Sequence, residues 1–136
     1  MTYTFERKIN YYETDKMGVV HHSNYIRYFE EARCAWLEEI GLPIELLEEN
    51  GITTPVLGFT TEYKHHVTFG DTIVIKLFIK EYTSVRMTVG YEVTNKLTGE
   101  LVNLAESKHC FTTKELKPIS LKRTKPEFDE KIRKIL

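Results

Sequence analysis

An α+β fold, with one long helix lying across a curved antiparallel sheet of about five strands, is what this sequence predicts, and three observations carry the prediction. Apolar and polar residues alternate near the N-terminus, over residues 3 to 10. They then recur every three or four residues from Ser23 to Ile40, the period of one helix face. From residue 55 to 113 the alternation returns in four runs divided by turn signals.

The first strand rests on Tyr3, Phe5, Arg7 and Ile9 alternating with Thr4, Glu6, Lys8 and Asn10. β-branched and aromatic residues suit a pleated surface with one mainly apolar face. The stretch YYETDKMGVVHHSN then breaks the pattern and brings together an acid, a glycine and adjacent histidines before a helical run. In that run Tyr25, Phe29, Ala32, Trp36 and Ile40 form one apolar stripe, so Trp36 reads as core. Ser23 or Asn24 is placed to cap its first turn, and Gly41 to supply the positive φ at its end. Pro43 opens a shorter helix, PIELLEEN, closed by Gly51.

Strands are expected near 55 to 69, 72 to 82, 85 to 95 and 100 to 113, split by Gly70-Asp71 and by NKLTG at 95 to 99. Taken in chain order they read as an antiparallel meander whose covered face meets the long helix. The last segment, about 118 to 136, carries sparse apolar positions at Phe128, Ile132, Ile135 and Leu136 and is expected to be an accessory helix or tail. No repeat or flexible linker divides residues 1 to 136, which read as a single domain.

With 41% hydrophobic and 29% charged residues the chain has the balance of a packed globule. Nineteen Lys and Arg against twenty Asp and Glu give a formal net charge of -1, so no overall field draws in nucleic acid. Two cysteines, Cys34 and Cys110, lack CxxC spacing and read as buried reduced thiols. No run approaches the roughly eighteen apolar residues of a membrane span, and the N-terminus lacks a leader-like apolar core. A cytoplasmic protein is the expectation.

Asp15 lies in the loop that runs into the long helix. Helix-start N–H groups lack intrahelical partners and carry partial positive charge, so a carboxylate beside them can attack a carbonyl, or direct a water, while they hold the oxyanion. On spacing alone Asp15, like Glu13, reads first as a turn former or cap. Gly18 serves the turn or a close substrate approach. His21 and His22 are adjacent, with no third residue at zinc spacing, so no metal is expected. His65 and His66 fall in an expected strand, where neighbours point to opposite faces and at most one can serve a given site. Glu30, Glu31 and Arg33 read as a solvated or locally paired helix face.

Residues 11 to 33, YYETDKMGVVHHSNYIRYFEEAR, resemble the 4-hydroxybenzoyl-CoA thioesterase branch of the hotdog-fold superfamily, including the Tol-Pal-associated acyl-CoA thioesterases. The pattern is an acidic residue, a spacer, Asp15, two residues, Gly18, two apolar residues, an aromatic or His pair, then Asn24-Tyr25 entering the helix. The likeness continues through GLP at 41 to 43 and EYKHHVTFGD at 62 to 71.

This resemblance implies hydrolysis of an acyl-CoA to a carboxylate and free coenzyme A, without a cofactor. It makes Asp15 the nucleophile or general base, His22 the backbone donor that polarises the thioester carbonyl, and Gly18 part of the catalytic loop. It also implies substrate contacts at Tyr25, Lys64, Thr83, Ser84 and Arg86, and a homodimer or dimer-of-dimers homotetramer in which a neighbouring subunit completes the coenzyme A groove. Were Asp15 not the catalytic acid, Glu30 or Glu31 would have to take over, as in another thioesterase branch. A noncatalytic acyl-CoA or acyl-carrier-binding module and an acyl-carrier-protein thioesterase stand as the alternatives.

Overall fold

The computed structural model describes all of residues 1–136. Five strands form one antiparallel sheet: β1 (Thr2–Lys8), β2 (Val56–Tyr63), β3 (Thr72–Tyr82), β4 (Arg86–Asn95) and β5 (Leu101–Cys110). The long helix α1 (Asn24–Glu39) and the short α2 (Ile44–Glu49) lie between β1 and β2 in the chain, and α3 (Leu121–Thr124) and α4 (Pro126–Arg133) follow β5.

The strand order is β1-β3-β4-β5-β2. Only β3, β4 and β5 form the expected meander. β2 pairs with β5 at the far edge rather than with its sequence neighbour β3, because β1 occupies that side of β3 from Thr2↔Phe78 to Lys8↔Thr72. The expected strand at 55 to 69 is also shorter. After Tyr63 the chain bends, and Val67 and Thr68 leave the sheet to pair with Val20 and Val19 of the loop before α1.

Helix α1 contains no Gly or Pro, and its buried stripe is Tyr25, Tyr28, Phe29, Ala32, Trp36 and Leu37. Tyr28, outside the expected stripe, is fully buried, whereas Ile40 is only partly so. The stripe meets the inner sheet face through Ile73, Ile75 and Leu77 of β3 and Met87, Val89, Tyr91 and Val93 of β4, where Phe29 and Tyr91 bring their rings to 4.5 Å. Each such buried side chain contributes roughly 1.5–3 kcal/mol of transfer free energy. Gly41 ends the helix with φ +82, while its N–H and that of Leu42 donate to the Glu38 and Leu37 carbonyls. A residue with a Cβ is strained at that φ.

The C-terminal segment is helical, and it is more than an appendage. Leu121, Phe128 and Ile132 belong to the same buried cluster as the α1 stripe. Asp129, 4% exposed, accepts from the Tyr82 and Ser84 hydroxyls at 2.6 and 2.5 Å and from Arg133 Nε at 2.9 Å. Burial opposes ionisation there, but the Ser84, Tyr82 and Arg133 bonds outweigh it and hold the carboxyl below its usual range. Asp129→Ala would leave those donors without their acceptor. With Arg133 half exposed, the expected loss is about 2 kcal/mol, below the range for a fully buried pair. Urea unfolding measures it, and an unchanged midpoint would show that the network contributes nothing net. Lys131 Nζ also donates to the Gly41 carbonyl at 3.0 Å, tying α4 to the end of α1.

Cys110 is buried, but Cys34 is only half-buried, and neither forms a disulfide. No helix is long and apolar enough to cross a membrane.

Candidate active site

Residues 14 to 20 fold into a small closed loop. Asp15 N–H donates to the Val19 carbonyl at 2.8 Å, Gly18 N–H donates to the Asp15 carbonyl at 2.9 Å, and Thr14 bridges Val20. Gly18 has φ +79, so the position favours glycine for its backbone alone; a Cβ there would meet no atom within 4 Å. Asp15 Oδ1 accepts the Met17 N–H at 2.8 Å, while Oδ2 has no partner in the chain. The residue is half-buried.

The helix start is held by contacts other than the expected caps. Ser23 turns its hydroxyl to His21 Nδ1 at 2.8 Å, and Asn24 Nδ2 donates back to the Glu13 carbonyl at 2.8 Å. Ser23 makes no side-chain bond to the helix-end amides. The Asn24 and Tyr25 N–H groups donate to the His21 and His22 carbonyls, whereas the His22 N–H donates to nothing in the chain. It is a free donor at the positive end of a helix of 16 residues.

A cleft of about 360 Å³ opens between this helix end and the segment after β2. Val19, Val20, His22, Tyr25, Tyr63, Lys64, His65 and His66 line it. Tyr25 is 3% exposed with its ring 5.5 Å from that of Tyr63, and Tyr63 donates its hydroxyl to the His22 carbonyl at 3.2 Å. Lys64 sits 3.3 Å from Glu62. The expectation for His65 and His66 needs correction: they stack at 4.4 Å and both line the cleft, because they lie beyond the end of β2, where strand alternation no longer applies.

Glu13 is the loop's most buried polar residue, and spacing left its role open. Its carboxylate takes Arg7 Nη1 and Nη2 at 2.8 and 2.6 Å and the Asn10 N–H at 2.7 Å. Burial would raise its pKa, but Arg7 and the Asn10 N–H outweigh that and hold it below the ordinary carboxylate value. The Glu13 carbonyl accepts both the His21 N–H and Asn24 Nδ2. Arg7 Nε reaches Glu31 on α1 at 2.9 Å, so Glu31 is paired across to β1 rather than along its own helix. Arg33 likewise reaches inward, to the Tyr91 hydroxyl at 3.1 Å. An arginine on the apolar face of the first strand was the sequence signal for this cluster, since a guanidinium drawn partly out of water favours carboxylate partners.

His22, Tyr25 and Lys64 thus line one cleft at the start of α1, while Asp15 and Gly18 lie in the adjoining loop, whose Val19 and Val20 form part of the cleft wall. Thr83, Ser84 and Arg86 do not join them. They form the β3–β4 turn at the opposite end of the sheet, where Tyr82 is aligned with Met87 and Met87 with His109; Tyr63, at the cleft end, is aligned with Asn103. Ser84 requires a correction as a substrate contact. It is 2% exposed, and its hydroxyl is engaged by Asp129 and Arg133. Thr83 Oγ1 accepts the Arg86 N–H at 3.0 Å but remains exposed, as does Arg86.

The thioesterase-like superfamily model matches residues 9–136. A Bacillus subtilis (strain 168) protein named "Putative acyl-CoA thioesterase YneP" is 32% identical over 124 residues, covering 90% of this chain and 89% of its own. The crystal structure of a DHNA-CoA thioesterase from Staphylococcus aureus superposes with a TM-score of 0.93 at 30% identity, covering 98% of this chain and 90% of that one. The 4-hydroxybenzoyl-CoA thioesterase of Pseudomonas sp. strain CBS-3 has a TM-score of 0.84 at 22% identity, covering 96% of this chain and 98% of that one, which is a likeness of fold. A family match over nearly the whole length, on a helix laid across a five-stranded antiparallel sheet, places the chain in the thioesterase-like superfamily, the hotdog-fold thioester hydrolases.

Proposed function

We propose that this chain is an acyl-CoA thioesterase in which Asp15 carries the chemistry. The observation behind the reading is a carboxylate with one unpartnered oxygen, in a closed loop that leads into a helix whose His22 N–H is a free donor. The thioester carbonyl oxygen would take the His22 N–H, which strengthens as negative charge develops on that oxygen. Asp15 then attacks the carbonyl carbon, expelling coenzyme A thiolate and leaving a mixed anhydride that water opens. Alternatively, it takes a proton from the water that attacks. Either route turns thioester and water into carboxylate and thiol, and neither requires a cofactor. Gly18 shapes the loop, while Tyr25 and Lys64 supply cleft contacts to the substrate.

Thr83 and Arg86 enter this reading through a second copy. β2 is an edge strand with an unpaired side, and antiparallel pairing of two such edges sets the Val56 end of one beside the Tyr63 end of the other. The β3–β4 turn lies at the Val56 end, so a homodimer would carry Thr83 and Arg86 of one chain toward the cleft of its partner; a dimer of dimers would follow as the homotetramer. Two unpaired thiols suit a cytoplasmic setting.

Thiol release from short, long, branched and aromatic acyl-CoAs by wild type and Asp15→Asn tests the reaction, and light scattering the assembly. Binding of acyl-CoAs with no thiol release from any of them would overturn the enzymatic reading.

A further inference from the structure

We infer that Glu13 is the positioning residue of the catalytic centre, holding the Asp15 loop and the His22 amide in one register; this rests on the Asp15 reading above. Asp15 has no side-chain bond beyond its own loop, since Oδ1 takes only the Met17 N–H. What sets that loop against the helix is the residue two positions earlier, with both polar ends engaged. Its carboxylate is gripped by both terminal nitrogens of Arg7 from β1. Its carbonyl takes the His21 N–H at 2.9 Å and Asn24 Nδ2 at 2.8 Å from the start of α1.

The free His22 N–H is therefore one residue from a donor clamped by Glu13, and the Asp15 carboxylate is two residues away on the other side. The same guanidinium holds Glu31 on α1, so strand, loop and helix meet at one partly buried cation. Buried ion pairs are weak sources of net stability but hold their partners in defined geometry. Thioester attack demands such geometry, since a displacement of about 1 Å can cost on the order of 100-fold in rate. Glu13 touches no reacting atom in this scheme. It acts through the placement of Asp15 and His22.

Steady-state thiol release by purified full-length variants, on the acyl-CoA that wild type hydrolyses best, provides the test. Glu13→Gln is expected to lower kcat about 10-fold or more with KM within about two-fold, because positioning affects the transition state more than ground-state binding. Arg7→Met combined with Glu13→Gln should be no worse than the worse single variant, as expected of one shared device. Placed in an Asp15→Asn background, Glu13→Gln should cost less than it does in wild type, because only the His22 amide is left for it to place. A wild-type kcat in folded Glu13→Gln protein, a loss confined to KM, or additive losses in either double variant would overturn the assignment. If Glu13→Gln does not fold, Asn24→Ala, which removes one bond to the Glu13 carbonyl, decides the question: a lower kcat at unchanged KM supports it, and an unchanged kcat overturns it. Full activity in Asp15→Asn alone would defeat the Asp15 reading whatever Glu13→Gln does. An inactive Asp15→Asn beside a fully active Glu13→Gln would defeat only the positioning role.

Discussion

Asp15→Asn protein should fold as wild type does and release thiol from its best acyl-CoA on the order of 10²–10⁴ times more slowly, the range for losing a positioned base. The amide oxygen of asparagine still accepts the Met17 N–H, so the loop keeps its turn. Gly18 keeps its positive φ, and the half-buried site needs no repacking, so stability should stay within about 0.5 kcal/mol. What disappears is the negative charge. An uncharged amide neither attacks a thioester carbon nor takes a proton from water at neutral pH. The His22 N–H and the cleft remain, so KM should change far less than kcat. Equal thiol release by wild type and variant would remove Asp15 from the mechanism. Accumulation of acylated wild-type enzyme in a rapid quench would separate the anhydride route from the water route.

The second large effect is on stability against acid. His109, on β5, is 1% exposed; its Nε2 lies 2.7 Å from the Ser107 hydroxyl, which in turn meets the Tyr91 hydroxyl at 2.7 Å. Burial, and then the charge of Arg33, push its pKa down from 6.5 to about 4. Between those two values the unfolded chain binds a proton at this position and the native chain does not. Unfolding free energy therefore falls as pH falls from about 6.5 to about 4, by about 3 kcal/mol in all, and this group contributes no further loss below that. Glu13 and Asp129 are also shifted downward, but they act at lower pH. Their lowered pKa values give stability that is present above the ordinary carboxylate range and is lost only as pH drops through their folded values. Urea unfolding at steps from pH 7 to pH 4.5 isolates the histidine. His109→Gln should show a flatter profile over that window, and a wild-type profile already flat there would mean that the buried imidazole is not held neutral.

Much of this was legible in local pattern. The period of two over residues 3 to 10 and the period of three to four from Tyr25 to Trp36 are properties of which atoms can reach a shared apolar face, so strand β1 and helix α1 could be read directly. Gly41 was likewise readable as a position for positive φ, and Gly18 as a turn glycine. The place of β2 was not. Alternation marks a strand without naming its partner, and pairing was decided by β1 taking the free side of β3. Tyr28 escaped the stripe because Arg7, which stands over its ring at 4.8 Å, comes from a distant strand; its buried hydroxyl makes no hydrogen bond in the chain.

The candidate site divides in the same way. Asp15 stood out through its motif, and the free N–H of His22 follows from the general rule for helix starts. Glu13 looked like a second turn-forming acid until Arg7 was seen to close on it, and Ser84 looked available until Asp129 and Arg133 were seen to seal it. The sequence by itself determined the α+β class, the long helix and the loop that bears Asp15, because each depends on residues a few positions apart. Only the tertiary structure decided the strand order, the clamp on that loop and the separation of Arg86 from the cleft. Those depend on which distant groups compete for one buried charge or one open strand edge, and that competition is resolved only when the chain packs.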